Sequence, residues 1–310
     1  MATGAGYELS EHDRLDDATR AEVEQLAGSA AAYDGVDPLG EHTLLALTGD
    51  GARHLLARAD GTLVGYGQLD GAGSVAELVV SPEFRGRGIG RALLEHLLER
   101  APGLGIWAHS DLPGARALAS SLGLVRSRGL LQMRRSLDEP LPDVDLPAGF
   151  ALRSFLPGLD EQEWLSVNAR AFTDLPDQGG WTTSDLHQRM AAPWFDPAGF
   201  LIATTAMDPP SQGERIAGFH WTKIHDRVRS TGPDAHEHER IGEVYVVGID
   251  PSQQGHGLGR ALTLAGLHRL KAAGLSTVML YVDDANAAAV GLYRALGFAT
   301  WQTDVEYRRG

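Results

Sequence analysis

Two short stretches of the sequence have the residue types and spacing to hold an anion. Arg85-Gly86-Arg87-Gly88-Ile89-Gly90 opens "RGRGIGRALLEHL", and Gln254-Gly255-His256-Gly257-Leu258-Gly259-Arg260 opens "QGHGLGRALTLAGLHRL". In both, the glycines fall where an apolar strand ends and a helix begins. Glycine tolerates positive φ and lets a ligand approach the backbone closely. The first N–H groups of a helix have no internal partners, and with the dipole they form an anion site. A pyrophosphate fits there without a positive surface. None is available: 27 Lys and Arg against 41 Asp and Glu leave a formal charge of −14. Such a surface repels nucleic acid, so no nucleic-acid partner is expected.

The two stretches are copies of each other. Arg85 aligns with Gln254, an offset of 254 minus 85, or 169 residues, and the flanking sequence follows without a gap. Further on, "GARALASSLGL" resembles "NAAAVGLYRALGF". A period of half the chain is too long for a solenoid and indicates a duplicated domain. Ser136–Gly149, "SLDEPLPDVDLPAG", has three prolines, four acids and no periodicity, which reads as a linker. Residues 1–137 are therefore expected as one domain, 138–149 as the linker and 150–310 as a second domain.

The elements that must position the glycines follow the same plan in each half. In the first, Thr19–Ala32 reads as a helix. "HLLARAD" and "LVGYGQLD" read as strands joined by Asp60-Gly61, a strong hairpin signal. "SVAELVV" and "GIWAHS" are strands, Gly88–Arg100 and Gly114–Leu122 helices. The second half repeats this with "FLIATTAMD", "RIAGFHWTKIH", "EVYVVGI", a helix at Gly257–Ala273, "TVMLYV", a helix at Asn286–Leu296 and "TWQTDVEY". Short turns make the early strands antiparallel, and strand–helix–strand crossovers make the later ones parallel. A mixed α/β sheet per half is expected. Asp226–Arg240, "DRVRSTGPDAHEHER", has no apolar face and reads as a mobile loop.

Bulk properties bound the setting. Apolar residues make up 43%, enough for a sizeable core, and no apolar run approaches the roughly 18 residues of a membrane span. The first residues are acidic, without a secretory pattern, so a cytoplasmic protein with no membrane partner is expected. Cysteine is absent, which removes disulfides, zinc–thiolate sites and a cysteine nucleophile. His236–Glu239, "HEHE", lies in the polar loop and reads as a solvated charge run; no metal is expected.

The twice-repeated glycine pattern, each time after an apolar strand and a proline, together with "NAAAVGLYRALGF", resembles the GNAT superfamily of acyl-CoA-dependent N-acetyltransferases. The resemblance covers most of both halves and implies two tandem GNAT domains with acetyl-CoA as co-substrate. It implies that the pantetheine arm pairs like an added strand with Val247, Gly248 and Ile249, or with Leu78, Val79 and Val80 in the first half. The pyrophosphate would rest on the amides of Gln254–Arg260, or Arg85–Gly90 and onward. Asn286, Ala288, Ala289 and Gly291 would line the cofactor from the following helix. An amine would then attack the thioester directly.

Direct transfer needs two proton handlers, because an α-amino group with a reference pKa of about 8 is mostly protonated at neutral pH. Glu243 opens "EVYVVGI", on the same strand face as Tyr245, and suits the base; a solvated strand end is the competing reading. Tyr293 lies where family members place a tyrosine near the thioester sulfur; packing is its alternative. In the first half the matching positions are Ser74 and Ala119, neither able to do the work. Glu77 is offset to the other face, and His109 is the one conceivable substitute base. One active domain, the second, is expected, with a CoA-binding shape but no chemistry in the first.

"GEVYVVGIDPSQQGHGLGRALT", "FHWTKIH", "DQGGWT" and "MLYVDDANAAAVGLYRALGF" narrow the likeness to tandem GNAT enzymes that acetylate the cysteinyl amine of a cysteinyl-glucosaminyl-inositol, forming a small thiol. By that resemblance Asp34, Asp177, Lys223, Glu243 and Tyr281 are substrate-binding candidates. Asp34 could equally serve a helix C-terminal turn, and Asp177 a turn before Gly179-Gly180. Trp181 and Trp221 read as core, and the loop after Lys223 could close over the substrate. The expected partners are a small-molecule amine and CoA, with the chain a monomer. Another small amine, such as an aminoglycoside, or a non-catalytic acetyl-CoA sensor are the alternatives.

Overall fold

A computed structural model describes residues 6–49, 51–206, 213–228 and 239–310. The N-terminal half runs β1 (Glu8–His12), α1 (Asp17–Asp34), α2 (Glu41–Ala46), β2 (Arg53–Ala59), β3 (Thr62–Leu69), β4 (Val75–Val80), α3 (Ile89–Arg100), β5 (Gly105–Ala108), α4 (Pro113–Ser121) and β6 (Leu124–Ser136). The second half runs β7 (Phe150–Ser154), α5 (Glu161–Ala171), α6 (Pro176–Gly179), α7 (Thr183–Met190), β8 (Phe200–Ala206), β9 (Glu214–Val228), β10 (Glu239–Ile249), α8 (Leu258–Ala272), β11 (Thr277–Asp283), α9 (Ala287–Ala295) and β12 (Ala299–Arg309). Local chemistry sets several ends. Asp16 caps α1 by accepting the Thr19 N–H at 2.7 Å, and Gly35 ends it in the left-handed region. Asp60 and Gly61, at φ 47° and 80°, turn β2 into β3.

The sequence pattern suggests a separate sheet for each half. Instead all strands join one twelve-stranded sheet in the order β1-β2-β3-β4-β5-β12-β6-β11-β10-β9-β8-β7. The halves exchange their last strands. β6 pairs antiparallel with β11 through Leu280↔Met133, and β12 pairs antiparallel with β5 through Glu306↔Trp107. β6 and β12 then pair with each other. Met133 of β6 is accordingly buried in the second half's core with Leu264, Leu267, Val278 and Leu280.

Helices cover both faces. In the first half α3 packs Leu93, Leu94, Leu97 and Leu98 on one side, and α1 packs Val23, Leu26 and Ala30 on the other. In the second half α8 and α9 cover one face, and α5 and α7 the other, around Trp164, Phe200, Phe219 and Trp221. Backbone of the expected loop Asp226–Arg240 extends both neighbours: β9 runs to Val228 and β10 starts at Glu239. Residues 229–238, with most of "HEHE", lie outside the described residues.

Two departures from regular pairing position the site. β4 and β5 pair in parallel only at Val75 and Ala76, and β10 and β11 only at Gly242–Val244. Beyond those points each pair splays, freeing an edge of Glu77–Val80 and of Tyr245–Ile249. β10 also carries a bulge against β9 between Val244 and Val246. Val244 and Val247 face the α8 core, while Tyr245 and Val246 both face the Trp164–Trp221 cluster. Counting through the bulge moves the first-half counterpart of Glu243 from Ser74 to Val75, which is no better able to accept a proton.

Candidate active site

The C-terminal glycine stretch forms an amide cradle. A 3-10 turn over Pro251–Gln253 leads into Gly255 and Gly257 at φ 83° and 81°, and Gly257 immediately precedes α8. No neighbour lies within 4 Å of a Cβ built on either glycine, so positive φ alone requires them. The amides of Gly255, His256, Gly257, Leu258 and Gly259 make no hydrogen bond among the described residues. Leu258 is buried and anchors the helix, while His256 and Arg260 are exposed beside the amides. Upstream, the open edge of Val247, Gly248 and Ile249 offers backbone groups to an extended ligand. This set fits an anionic ligand with an amide-bearing arm. On α9, Ala288 and Gly291 are exposed and Ala289 packs inward. Asn286 is engaged as the helix cap, accepting the Ala289 N–H at 3.0 Å.

The first-half cradle repeats the backbone with different side chains around it. Gly86 and Gly88 have φ 75° and 85°, Ile89 is buried, and a Cβ on Gly90 would only touch Leu118 and Val80. Its arginines are committed. Arg85 makes a two-pronged pair with Asp34 at 2.7 and 2.6 Å and also reaches the Val80 carbonyl. Arg87 donates to the Glu83 carbonyl, and Arg91 to Glu95 and Ser121. Leu78 and Val80 lean on the α3 core and Val79 on that of α1. Asp34, a substrate candidate by sequence, thus stands beside this cradle as the last residue of α1.

Glu243 and Tyr281 lie on the two strands that part, and Tyr293 on the helix that follows. Glu243 is 6% exposed, and its Oε2 lies 2.7 Å from Nε2 of His225. Tyr281, on β11, accepts from Gln132 Nε2 at 2.6 Å; burial and the nearby Glu243 carboxylate push its phenol above the usual range. Gln132 belongs to the exchanged strand β6. Tyr293 packs edge-on to Phe298 at 5.7 Å, and burial pushes its phenol up to about 12. Its hydroxyl makes no hydrogen bond among the described residues. Tyr293 and Ala119 each occupy the seventh place of a nine-residue helix.

A second cluster joins the two halves. Lys223, 7% exposed, pairs with Glu41 of α2 and lies over the rings of Trp194 and Tyr245 at 4.5 and 5.0 Å. Tyr245 donates to Glu41 Oε2 at 2.9 Å and accepts from Arg189 Nε at 2.9 Å. Burial and the Glu41 charge raise its phenol strongly, so it remains a hydroxyl. Arg189 also stacks over Trp181 at 3.9 Å. Trp221 is core, stacked on Phe200 at 4.4 Å. Asp177 falls in α6, but its side chain lies outside the described residues. Among the described residues no group of three or more His, Asp or Glu could hold a metal ion, and no helix is long and apolar enough to cross a membrane.

Lys223, Glu243, Tyr281 and Tyr293 are legible in the sequence as candidates of the second half; Glu41, His225, Arg189 and Trp194 join them only in the fold. Glu41 is a lone acid before a short helix in the other half, and no local signal connects it to Lys223. His225 could have been found: two residues after Lys223 on one strand, it shares that residue's face.

An open strand edge that leads into an amide cradle, with a buried carboxylate on the same strand, fits the arrangement expected of an acyl-CoA-dependent N-acetyltransferase. The family described as "Acetyltransferase (GNAT) family" matches residues 20–124 and 163–298. The mycothiol acetyltransferase of Thermomonospora curvata is 51% identical over 302 residues, covering 96% of this chain and 95% of that protein. That of Thermobispora bispora is 52% identical over 290 residues, covering 92% and 94%. In fold, the chain is similar to a tandem GNAT protein from the clavulanic acid biosynthesis pathway, with a TM-score of 0.67 at 22% identity over 97% of both chains. The chain belongs to the GNAT acetyltransferase family and, within it, to the mycothiol acetyltransferases.

Proposed function

We propose that the chain transfers the acetyl group of acetyl-CoA to the cysteinyl amine of a cysteinyl-glucosaminyl-inositol, giving mycothiol, with the C-terminal half alone performing the chemistry. Acetyl-CoA lies along Val247–Ile249 with its pyrophosphate on the amides of Gln254–Arg260. The ammonium loses its proton to Glu243, oriented by His225. The free amine attacks the thioester carbon; the C–N bond forms, the C–S bond breaks, Tyr293 gives its proton to the departing thiolate, and the proton the nitrogen sheds on becoming an amide restores the phenol. Glu41, Lys223, Tyr245 and Tyr281 meet the hydroxyls and charge of the acceptor.

The observation that carries this reading is the asymmetry between copies. The second half pairs its cradle with Glu243 and Tyr293, while the first has Val75 and Ala119 in their places and ties its arginines to its own chain. The test is CoA-thiol release by the full chain with acetyl-CoA and the cysteinyl pseudodisaccharide, against an aminoglycoside. Turnover with the first alone supports the reading, turnover with the aminoglycoside alone replaces the acceptor, and turnover with neither returns the chain to an acetyl-CoA-binding role.

A further inference from the structure

The first half keeps a set of buried ionisable groups that the reaction does not use. Glu77 on β4 is 6% exposed and Asp304 on the exchanged strand β12 is 2% exposed. His109, just after β5, stands between them. Its Nε2 is 2.9 Å from Glu77 Oε1, and its Nδ1 is 3.0 Å from Asp304 Oδ2. Burial opposes charge on the ring, but Glu77 and Asp304 overcome it and raise the imidazole to about 10. A ring that donates both N–H groups has no lone pair to offer, so His109 is no substitute base. A carboxylate–imidazolium–carboxylate array this buried is costly to build, and its purpose is legible in what else it holds.

The second oxygen of Glu77 accepts the N–H of Gly40 at 2.7 Å. Gly40 is the residue before α2, and the first residue of α2 is Glu41. α2 has six residues and no side-chain cap, too short to hold its own position. A Cβ on Gly40 would stand 3.0 Å from Glu77 Oε1, so the two pack directly. On the far side, Asp304 also accepts the Ser110 N–H at 2.8 Å, fixing the turn that carries His109.

We infer that Glu77, backed by His109 and Asp304, is a positioning unit for the acceptor site of the other half: by holding Gly40 it sets Glu41 against Lys223 and Tyr245. The inference rests on the reading that Glu41 meets the acceptor amine substrate. The place where a silent copy would have done its chemistry has become the mount for a residue of the working one. Glu77 touches no substrate; it acts through Glu41.

The test is steady-state kinetics on full-length Glu41→Gln, Glu77→Gln and the double variant, varying the acceptor and acetyl-CoA in turn. Glu77→Gln is expected to raise the acceptor KM on the order of tenfold, since small displacements of positioning groups carry large kinetic effects. The acetyl-CoA KM should stay within about twofold, and the double variant should match Glu41→Gln alone, because coupled residues are non-additive. Gly40→Pro is the second variant. Its φ of −74° suits proline; proline removes the N–H that Glu77 accepts and its ring carbons press on the Glu77 carboxylate, so the link is broken from the Gly40 side with all three ionisable residues kept. It should reproduce the Glu77→Gln phenotype, and it carries the test if Glu77→Gln fails to fold. An impaired Glu41→Gln with a normal Glu77→Gln and Gly40→Pro overturns the positioning unit alone, as does a Glu77→Gln effect that adds in full to that of Glu41→Gln. A normal Glu41→Gln overturns the acceptor-site reading and the unit with it.

Discussion

His225 Nε2 lies 2.7 Å from Oε2 of Glu243, and among the described residues it is the one hydrogen-bond partner of that carboxylate. Glu243 is buried at the point where β10 and β11 part, so the imidazole fixes one oxygen and leaves the other for a proton. A carboxylate so held is oriented before any ligand arrives, as the proposed base requires.

Glu243→Gln should therefore lower kcat by about 10²–10⁴, the span of general-base catalysis. Acetyl-CoA affinity by titration calorimetry should be unchanged. His225→Gln should lower kcat less, because the carboxylate remains. A Glu243→Gln protein that loses acetyl-CoA binding in equal measure would instead make the residue part of the sheet's framework.

Tyr293→Phe removes a hydroxyl with no hydrogen-bond partner among the described residues, so its melting temperature should stay close to that of the parent protein. Its kcat should fall by no more than about 10⁴. Because burial holds the phenol up to about 12, it keeps its proton across the working range and should add no alkaline limb to the rate profile below about pH 11. An alkaline limb near pH 9 that vanishes in Tyr293→Phe would contradict this environment.

Gly257→Ala and Gly88→Ala form a matched pair. Each places a Cβ at φ above 80°, at a cost of about 1–2 kcal/mol. Both proteins should melt earlier. Only Gly257→Ala should raise the acetyl-CoA KM of the reaction if, as proposed, only its cradle serves the reacting thioester. Equal KM increases in both would mean that the two cradles contribute alike.

The pH dependence of stability should carry the mark of His109. Its folded pKa of about 10 lies above its ordinary value near 6.5, so the folded chain binds a proton that the unfolded chain releases between those values. That stabilisation is complete below about pH 6.5 and is lost as pH rises toward 10. Melting curves of the parent chain and His109→Gln should differ most near pH 6 and converge near pH 10. A difference independent of pH would show that the ring is held neutral.

How far the sequence could be read depended on how local each feature is. The Asp60-Gly61 hairpin, the glycine cradles and the nine-residue helices carrying Ala119 and Tyr293 are each set by a few neighbouring residues. β6 is not legible because "LVRSRGLLQMRRS" spreads arginines along a strand whose partners, β11 and β12, lie more than 140 residues away. The bulge at Tyr245 depends on how β10 lies against β9, so gap-free counting put Ser74 in register where the sheet puts Val75. Glu41 is distant from Lys223 in sequence and near it only after the halves join. Glu77 and His109 were visible as isolated polar residues, but nothing local pairs them with Asp304.

The interleaving of β6 and β12 also constrains how the chain is made. In the amino-terminal sheet the place beside β5 is filled by β12. β12 must be made before the sheet is closed between the halves, so a ribosome stalled after the linker would present an unpaired β-edge to the cell. The first half is thus tied into the fold of the second whatever chemistry it retains.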